Sequence, residues 1–279
     1  RQLLDTLFGG TIVSAVISGG TVTVGNATSV GGNLTFAGSG GVLEFETNTM
    51  PSAVISGLAA GDSFLFDNAI FGAGAAVTLT SGSPDVLSAT LGGSHYTLHL
   101  DSSENYAGLA FDVIPTTNVH LVAAFPFATA IEVMSVSSVG AGSSTSGGSL
   151  GLGQAQRVFG TTLSQTVANG GEQDVNHGGT ANNTIVDVGG VQLVSSGGTS
   201  LNASVDGIQF IFAGGSAANT AITESGAKEV LGTATSSTVS GTQYVGGKAS
   251  ATTIATFGFQ FVLSGGTAVA TTDAWEQQV

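Results

Sequence analysis

The stretch Thr180-Ala-Asn-Asn-Thr-Ile-Val-Asp-Val-Gly-Gly-Val-Gln-Leu-Val-Ser-Ser-Gly-Gly198 decides the fold, because it is one unit of an internal repeat. Cutting the chain after the recurrent glycines gives Thr161–Gly179, Thr180–Gly198, Thr199–Gly215, Ser216–Gly232, Thr233–Gly247 and Lys248–Gly266. Their lengths are 19, 19, 17, 17, 15 and 19, so they differ only by even numbers. Successive side chains of a strand point to opposite faces, and losing two residues preserves that pattern. This parity favours strands over helices.

Equivalent positions of the six units carry like residues. The seventh position is aliphatic in Val167, Val186, Val205, Ile222, Val239 and Ile254. A second aliphatic anchor follows in Val175, Val194, Ile211, Val230, Val245 and Val262. Two residues before that anchor stand Gln173, Gln192, Gln209, Lys228, Gln243 and Gln260. Coils stacked at about 4.8 Å would turn these columns into aliphatic ladders and a hydrogen-bonded Gln ladder.

Turn residues complete the repeat. Asn183, Asn202 and Asn219 share an early position, which suits a turn in left-handed backbone. The glycine pairs supply corners with positive φ. The sequence therefore predicts an all-β, Gly-rich β-solenoid in which each unit is one coil of two strands and two Gly turns.

A third column consists of the residue between the Gln-column residue and the anchor of each unit. If the anchor valines point inward, the residues of this third column point outward. Its apolar members are Leu193, Phe210, Tyr244 and Phe261. This ridge has two interpretations: it packs under another sheet of the same chain, or it is a binding or self-association face. The sequence leaves both open.

The composition predicts three parts. Residues 1–139 form an N-terminal Gly-rich β module, with short strands first and longer antiparallel hairpins from about Met50. Residues 140–149 have the Gly/Ser composition of a linker. Residues 150–279 form the solenoid of about six repeats with a C-terminal tail. We expect no helix and no transmembrane segment, since no stretch approaches the roughly 20 apolar residues that cross a bilayer.

Charge and cysteine content exclude several classes of function. The formal net charge is −14, from 4 basic and 18 acidic residues, so a nucleic-acid partner is not expected. The chain has no Cys, which excludes thiol catalysis and thiolate zinc sites.

The repeats resemble those of the AIDA type (adhesin involved in diffuse adherence), found in autotransporter passengers and other large bacterial surface proteins. The resemblance covers Thr161–Gly266 and rests on repeat length, both Gly-Gly corners and the Val and Gln columns together. It implies a right-handed β-helix, an extracellular or cell-surface location, and a role in adhesion or self-association. In some members of the family, Ser and Thr of the repeats are glycosylated. Repeats three to five are shorter here than in the simplest family pattern.

The predicted function is a non-enzymatic surface stalk or self-associating fibre, either a homo-oligomer or a filament. One alternative is a carbohydrate-binding adhesin, which needs an aromatic groove for surface glycans. Another is a polysaccharide-active β-helix enzyme, which needs clustered carboxylates. The pairs Glu44 with Glu46 and Asp62 with Asp67 are candidates for that role, although eighteen acids yield such pairs by chance.

Other sites are not expected. On a strand, His95 and His99 lie about 13 Å apart, too far to share one ion. No calcium loop, phosphate loop or nucleophile elbow occurs, so we expect no catalytic, cofactor-binding or metal site. Near the two ends of the sequence, the segments that contain Leu7, Phe8 and Trp275 lack the pattern of a helix that could cap a solenoid. Uncapped solenoid ends would favour end-to-end contacts.

Overall fold

A computed structural model describes residues 3–5, 11–25, 29–72, 74–116 and 128–274, and the regular structure in these ranges consists of strands. The segments containing Leu7, Phe8 and Trp275 lie outside the described residues. The chain divides between Ser135 and Val136 into two compact units. Among the described residues, no helix is long and apolar enough to cross a membrane.

The strands of the first unit are short and then lengthen along the chain. They are β1 (Leu3–Asp5), β2 (Thr11–Ile12), β3 (Ala15–Ile17), β4 (Thr21–Val24), β5 (Ser29–Val30), β6 (Leu34–Phe36), β7 (Val42–Phe45), β8 (Val54–Ser56), β9 (Ser63–Ile70), β10 (Ala76–Thr80), β11 (Asp85–Leu91), β12 (Ser94–Leu100), β13 (Ala110–Thr116) and β14 (Ala128–Val139), whose last residues belong to the second unit.

The first unit combines parallel coils with antiparallel hairpins. Strands β4, β7 and β9 stack in parallel, as do β3, β6 and β8. Strands β10, β11 and β12 are antiparallel, which confirms hairpins expected from the sequence. Strands β13 and β14 are also antiparallel. The core contains Phe36 and Phe64 in edge-to-face contact at 5.9 Å, and Phe45 and Phe66 at 5.3 Å.

The second unit repeats a set of three strands. They are β15 (Ser144–Ser146), β16 (Ser149–Leu150), β17 (Gln154–Val158), β18 (Thr161–Leu163), β19 (Thr166–Val167), β20 (Gly171–Val175), β21 (Thr180–Asn182), β22 (Ile185–Val186), β23 (Val191–Val194), β24 (Thr199–Leu201), β25 (Ser204–Val205), β26 (Ile208–Ile211), β27 (Ser216–Ala218), β28 (Ala221–Ile222), β29 (Ala227–Val230), β30 (Thr233–Thr235), β31 (Thr238–Val239), β32 (Thr242–Val245), β33 (Lys248–Ser250), β34 (Thr253–Ile254), β35 (Phe259–Val262), β36 (Thr267–Val269) and β37 (Thr272–Asp273).

Each coil therefore has three strands, and the prediction of two was wrong. The first predicted strand is divided by a residue in left-handed backbone, such as Asn183 with φ 55° or Asn202 with φ 54°. A positive φ breaks the extended conformation, so the pleat cannot continue through it. The expectation that the three asparagines adopt this backbone is confirmed, since Asn219 also has φ 55°.

The strand register confirms that the aliphatic columns stay in phase although the coils differ in length. Val167 pairs with Val186, Val186 with Val205, and the column continues to Ile254 without a shift. The anchor column from Val175 to Val262 is equally regular. Removing two residues from a coil thus leaves every inward residue inward.

The predicted linker at residues 140–149 is part of a coil. Strand β15 pairs in parallel with β18, and β16 pairs with β19. The described residues of the second unit consequently form seven three-strand coils, and β36 and β37 continue two of the sheets beyond the last of them. Composition does not distinguish a linker from a coil here, because the coils are also rich in small and hydroxyl-bearing residues.

A polar ladder runs through the interior of the second unit. Gln192 Nε2 donates to Gln173 Oε1 at 2.8 Å, and Gln209 Nε2 donates to Gln192 Oε1 at 2.6 Å. Hydroxyls from neighbouring columns complete the network, for example Ser200 Oγ to Gln192 Oε1 at 2.9 Å. Buried amides are tolerated here because their hydrogen bonds are satisfied from coil to coil.

Candidate self-association surface

The predicted apolar ridge is only partly exposed. Leu193, Phe210, Tyr244 and Phe261 do lie in one outward column, with Glu229 between Phe210 and Tyr244. Leu193 and Phe210 are nevertheless buried, Tyr244 is half-buried and Phe261 is exposed. Leu193 and Phe210 therefore belong to no exposed face, and in this column Tyr244 and Phe261 are the apolar residues that meet solvent.

The exposed end forms what we call the terminal aromatic surface, defined as Tyr244, Phe257, Phe259 and Phe261. Phe257, Phe259 and Phe261 are 72, 58 and 48% exposed. The rings of Tyr244 and Phe261 stack with centroids 5.3 Å apart and planes 17° apart. Phe259 and Phe261 lie 6.2 Å apart at 13°. The result is an apolar surface of nearly parallel rings facing water.

Strand geometry explains how these rings come together. Phe259 and Phe261 are two residues apart on β35, so both point to its outward face. Tyr244 is the register partner of Phe261 on β32, and cross-strand partners lie close enough for ring contact. Strand β35 is the last strand of its sheet in the described part of the chain. Its anchor Val262 is 51% exposed.

Phe257 has an unusual backbone. Its φ is 65°, and it occupies the corner position that Gly170 (φ 70°) and Gly189 (φ 78°) occupy in earlier coils. A left-handed residue with a Cβ costs about 1–2 kcal/mol, and a bulky one is a conformational outlier. Such an outlier is a reason to look for function at this corner. Sequence reasoning missed Phe257 and Phe259, although the loss of the corner glycine was a readable signal.

Burial raises the pKa values of two ionisable groups beside this surface. Burial raises the pKa of Glu229 to about 7. Burial and the neighbouring Glu229 carboxyl also raise the pKa of the Tyr244 hydroxyl. Near neutral pH, Glu229 is therefore partly protonated, and the column between Phe210 and Tyr244 carries less charge than its sequence suggests.

The candidate carboxylate pairs have structural partners. Asp62 is buried, where it accepts backbone N–H bonds from Gly41 and Ala59, both at 2.9 Å. Glu44 accepts the hydroxyl of Thr23 at 2.7 Å. Asp67 is buried as well. Glu44 thus joins β7 to β4, and Asp62 joins its own turn to the residue that precedes β7.

The histidine strand has the expected alternation. On β12, Tyr96, Leu98 and Leu100 are buried, while His95 is exposed and His99 is half-buried. The described residues contain no group of three or more metal-ligating side chains.

A different carboxyl pair was not anticipated. Asp112 on β13 is the register partner of Glu132 on β14. Burial and the Asp112 charge raise the pKa of Glu132 to about 7. Two carboxyls on neighbouring strands cannot both ionise freely, so one of them retains a proton near neutrality. The antiparallel register that joins them was not readable from the sequence.

The coils and ladders of the second unit define a class, the Gly-cornered β-solenoid repeat proteins. Residues 160–207 match a family model, AIDA, described as "Adhesin of bacterial autotransporter system, probable stalk". Residues 160–207 therefore carry AIDA-type repeats, in the stretch for which the sequence indicated this resemblance.

One solved structure covers nearly the whole chain. It is a hyper-glycosylated fragment of TibA, whose glycosylation is catalysed by TibC. The alignment covers 95% of this chain and 96% of that one, with 21% sequence identity and a TM-score of 0.42. No curated protein matches the chain significantly.

Proposed function

We propose that this chain is a non-enzymatic structural segment of an exported bacterial surface protein, and that it self-associates through the terminal aromatic surface. The observation that carries the proposal is the exposure of three phenylalanines close together on one coil of the second unit. Their exposed fractions lie between 48 and 72%. The similarity of residues 160–207 to the adhesin stalk family supports a role in adhesion and display at the cell surface.

A stalk needs a rigid repeated structure, and the second unit has the interactions for one. Aliphatic columns and the Gln ladder connect each coil to the next, so that stability comes from interfaces between neighbours. The anchor Val175 and the core residue Val186 are fully buried. Parallel coils held in this way support a scaffold without requiring a ligand.

Self-association is favoured by the chemistry of the exposed coil. An apolar surface of adjacent aromatic rings gains free energy when it is removed from water, at about 25 cal/mol per Å². Aromatic residues are also enriched at the centres of protein interfaces. The net charge of −14 opposes close approach, so association should strengthen as salt screens it.

We propose that the chain has no enzymatic role, because two of the candidate acids hold hydrogen bonds within the fold. Glu44 accepts a hydrogen bond that joins two strands, and Asp62 accepts two backbone hydrogen bonds in the turns before β7 and β9. A catalytic constellation needs a nucleophile or base, its orienting partner and a donor to the developing charge.

Sedimentation velocity over a concentration series tests self-association. The wild-type chain is expected to shift to larger species between about 5 and 200 µM, more strongly at high salt. The double variant Phe259→Ser/Phe261→Ser should remain a monomer over the same range.

The matched control removes exposed apolar side chains elsewhere on the second unit. Val188 and Ile185 are 65 and 45% exposed, and Val188→Ser/Ile185→Ser should associate like the wild type. Far-UV circular dichroism verifies that each variant folds. A wild-type chain that stays monomeric at the highest concentration would overturn the proposal, as would equal association of the two double variants.

A second candidate function is carbohydrate binding, because sugar rings can stack on exposed aromatic faces. The nearly parallel rings of Phe259 and Phe261 favour it. Native electrophoresis through gels containing bacterial or plant polysaccharides tests this function. Retardation of the wild type and of the Val188→Ser/Ile185→Ser control, but not of Phe259→Ser/Phe261→Ser, would support it. Equal mobility with and without polysaccharide would exclude binding to the polysaccharides used.

A further inference from the structure

One member of the interior Gln column is not glutamine. Lys228 stands in register between Gln209 on β26 and Gln243 on β32. Its side chain is fully buried. The residue before the anchor Val230 points outward, so Lys228 and Glu229 face opposite sides of β29.

The lysine interrupts the ladder of amide hydrogen bonds. A carboxamide both donates and accepts, whereas an ammonium group donates only. On the N-terminal side of Lys228, the amide ladder ends at Gln209, which donates to Gln192. On the C-terminal side it resumes where Gln260 Nε2 donates to Gln243 Oε1 at 2.8 Å. Lys228 Nζ donates instead to the hydroxyls of Thr220 at 2.9 Å and Ser237 at 3.3 Å.

The surroundings of this amine contain no compensating carboxylate among the described residues. Inward-facing groups from the strands and turns around it are Gln209, Gln243, Ala217, Ala234, Ile222, Val239, Thr220 and Ser237. The acids of these coils point away from the interior: Glu229 faces outward on the same strand, Asp206 follows inward-facing Val205, and Glu224 is exposed at a corner.

We propose that Lys228 makes the coil Ser216–Gly232 a pH-sensitive joint, at which the stack loosens when the buried amine takes up a proton. Hydroxyl oxygens satisfy the hydrogen bonds of an ammonium group but do not neutralise its charge. A neutral amine can also accept a hydrogen bond from a hydroxyl. The neutral form consequently fits this interior and the charged form strains it.

The direction of the pH dependence follows from the burial. Burial lowers the pKa of Lys228 from its ordinary 10.5 to about 7. A folded-state pKa below the unfolded one means that protonation favours opening. The cost of the charge is complete below about pH 7 and disappears progressively as the pH rises towards 10.5.

Urea unfolding of the wild type and of Lys228→Gln, each at pH 5.5, 7 and 9, tests the joint. Lys228→Gln restores the residue type of the column and leaves Glu229 in place, so the pH dependence of all other groups cancels in the comparison. The unfolding equilibrium constant of the wild type, relative to the variant, should fall by about 100-fold from pH 5.5 to pH 9. Lys228→Met removes the charge without restoring the ladder and should show the same loss of pH dependence.

The exposed Lys248 provides the matched control, since Lys248→Gln removes a lysine charge from the surface. It should follow the wild type at every pH. Hydrogen exchange, corrected for the chemical exchange rate, locates the opening. At pH 5.5, peptides from residues 216–247 should exchange faster in the wild type than in Lys228→Gln, while peptides from 161–198 should not differ. Parallel pH profiles for wild type and Lys228→Gln would overturn the proposal, as would a difference spread evenly over all coils.

Discussion

Val205→Asp tests the inward aliphatic column most directly. Val205 is completely buried between its register partners Val186 and Ile222, in a cluster with Val167. An aspartate at this position loses the burial of the valine and places a carboxyl where only aliphatic side chains stack. The second unit should therefore become much less stable.

The expected loss has two parts. Removing the buried valine side chain costs about 2 kcal/mol. Keeping the carboxyl neutral at pH 7, about three units above its ordinary pKa of 3.9, costs about 4 kcal/mol more. The sum of about 6 kcal/mol is comparable with the stability of an ordinary domain, about 5–15 kcal/mol. At pH 5 the neutralisation part falls to about 1.5 kcal/mol, so the variant should recover about 3 kcal/mol on acidification.

Urea unfolding followed by far-UV circular dichroism measures these differences. Val205→Asn is the control for the titration, because it has similar size and no carboxyl. Val188→Asp is the control for surface charge, because Val188 is exposed, and it should change the free energy of unfolding by less than about 0.5 kcal/mol. If Val205→Asp proves no less stable than Val188→Asp, or has the same pH dependence as Val205→Asn, the inward column has been wrongly identified.

Two further predictions concern a corner and a buried acid. A Cβ on Gly198 would lie 2.2 Å from the carbonyl oxygen of Val175. Gly198→Ala should therefore lower the free energy of unfolding, measured by urea titration, by about 2–4 kcal/mol. A Cβ on Gly140 would meet nothing within 4 Å, so Gly140→Ala should change the free energy of unfolding little. Glu229→Gln should raise the urea midpoint above that of the wild type at pH 8 and leave it unchanged at pH 4. The reason is that the folded-state pKa of about 7 exceeds the ordinary 4.5, so stability is lost as the pH rises between these values. A midpoint gap between Glu229→Gln and wild type that is the same at both pH values would contradict this account.

The sequence was sufficient for the features that repeat from coil to coil. The even differences in unit length, the aliphatic columns and the left-handed asparagines all recur in the structure. Each depends on an interaction between a residue and its equivalent in the next coil. Because that equivalent is 15 to 19 residues away in every case, the spacing is visible in the sequence.

Features that the repeat does not specify were not readable from the sequence. The sequence left open whether Leu193 and Phe210 face solvent, and the structure buries both. The register that sets Asp112 opposite Glu132 arises from a hairpin with no repeated counterpart.

Sequence alone thus determined a solenoid of stacked β coils with a Val and Gln interior, because the repeat fixes which residues lie over one another. Tertiary structure decided that a coil has three strands and that only the last aromatic residues of the outward column meet solvent. It also decided that, among the described residues, the hydrogen-bond acceptors of Lys228 are hydroxyls. The physical reason is the same in each case. Periodicity specifies the contacts along the stack, whereas burial and electrostatics also depend on what packs across it.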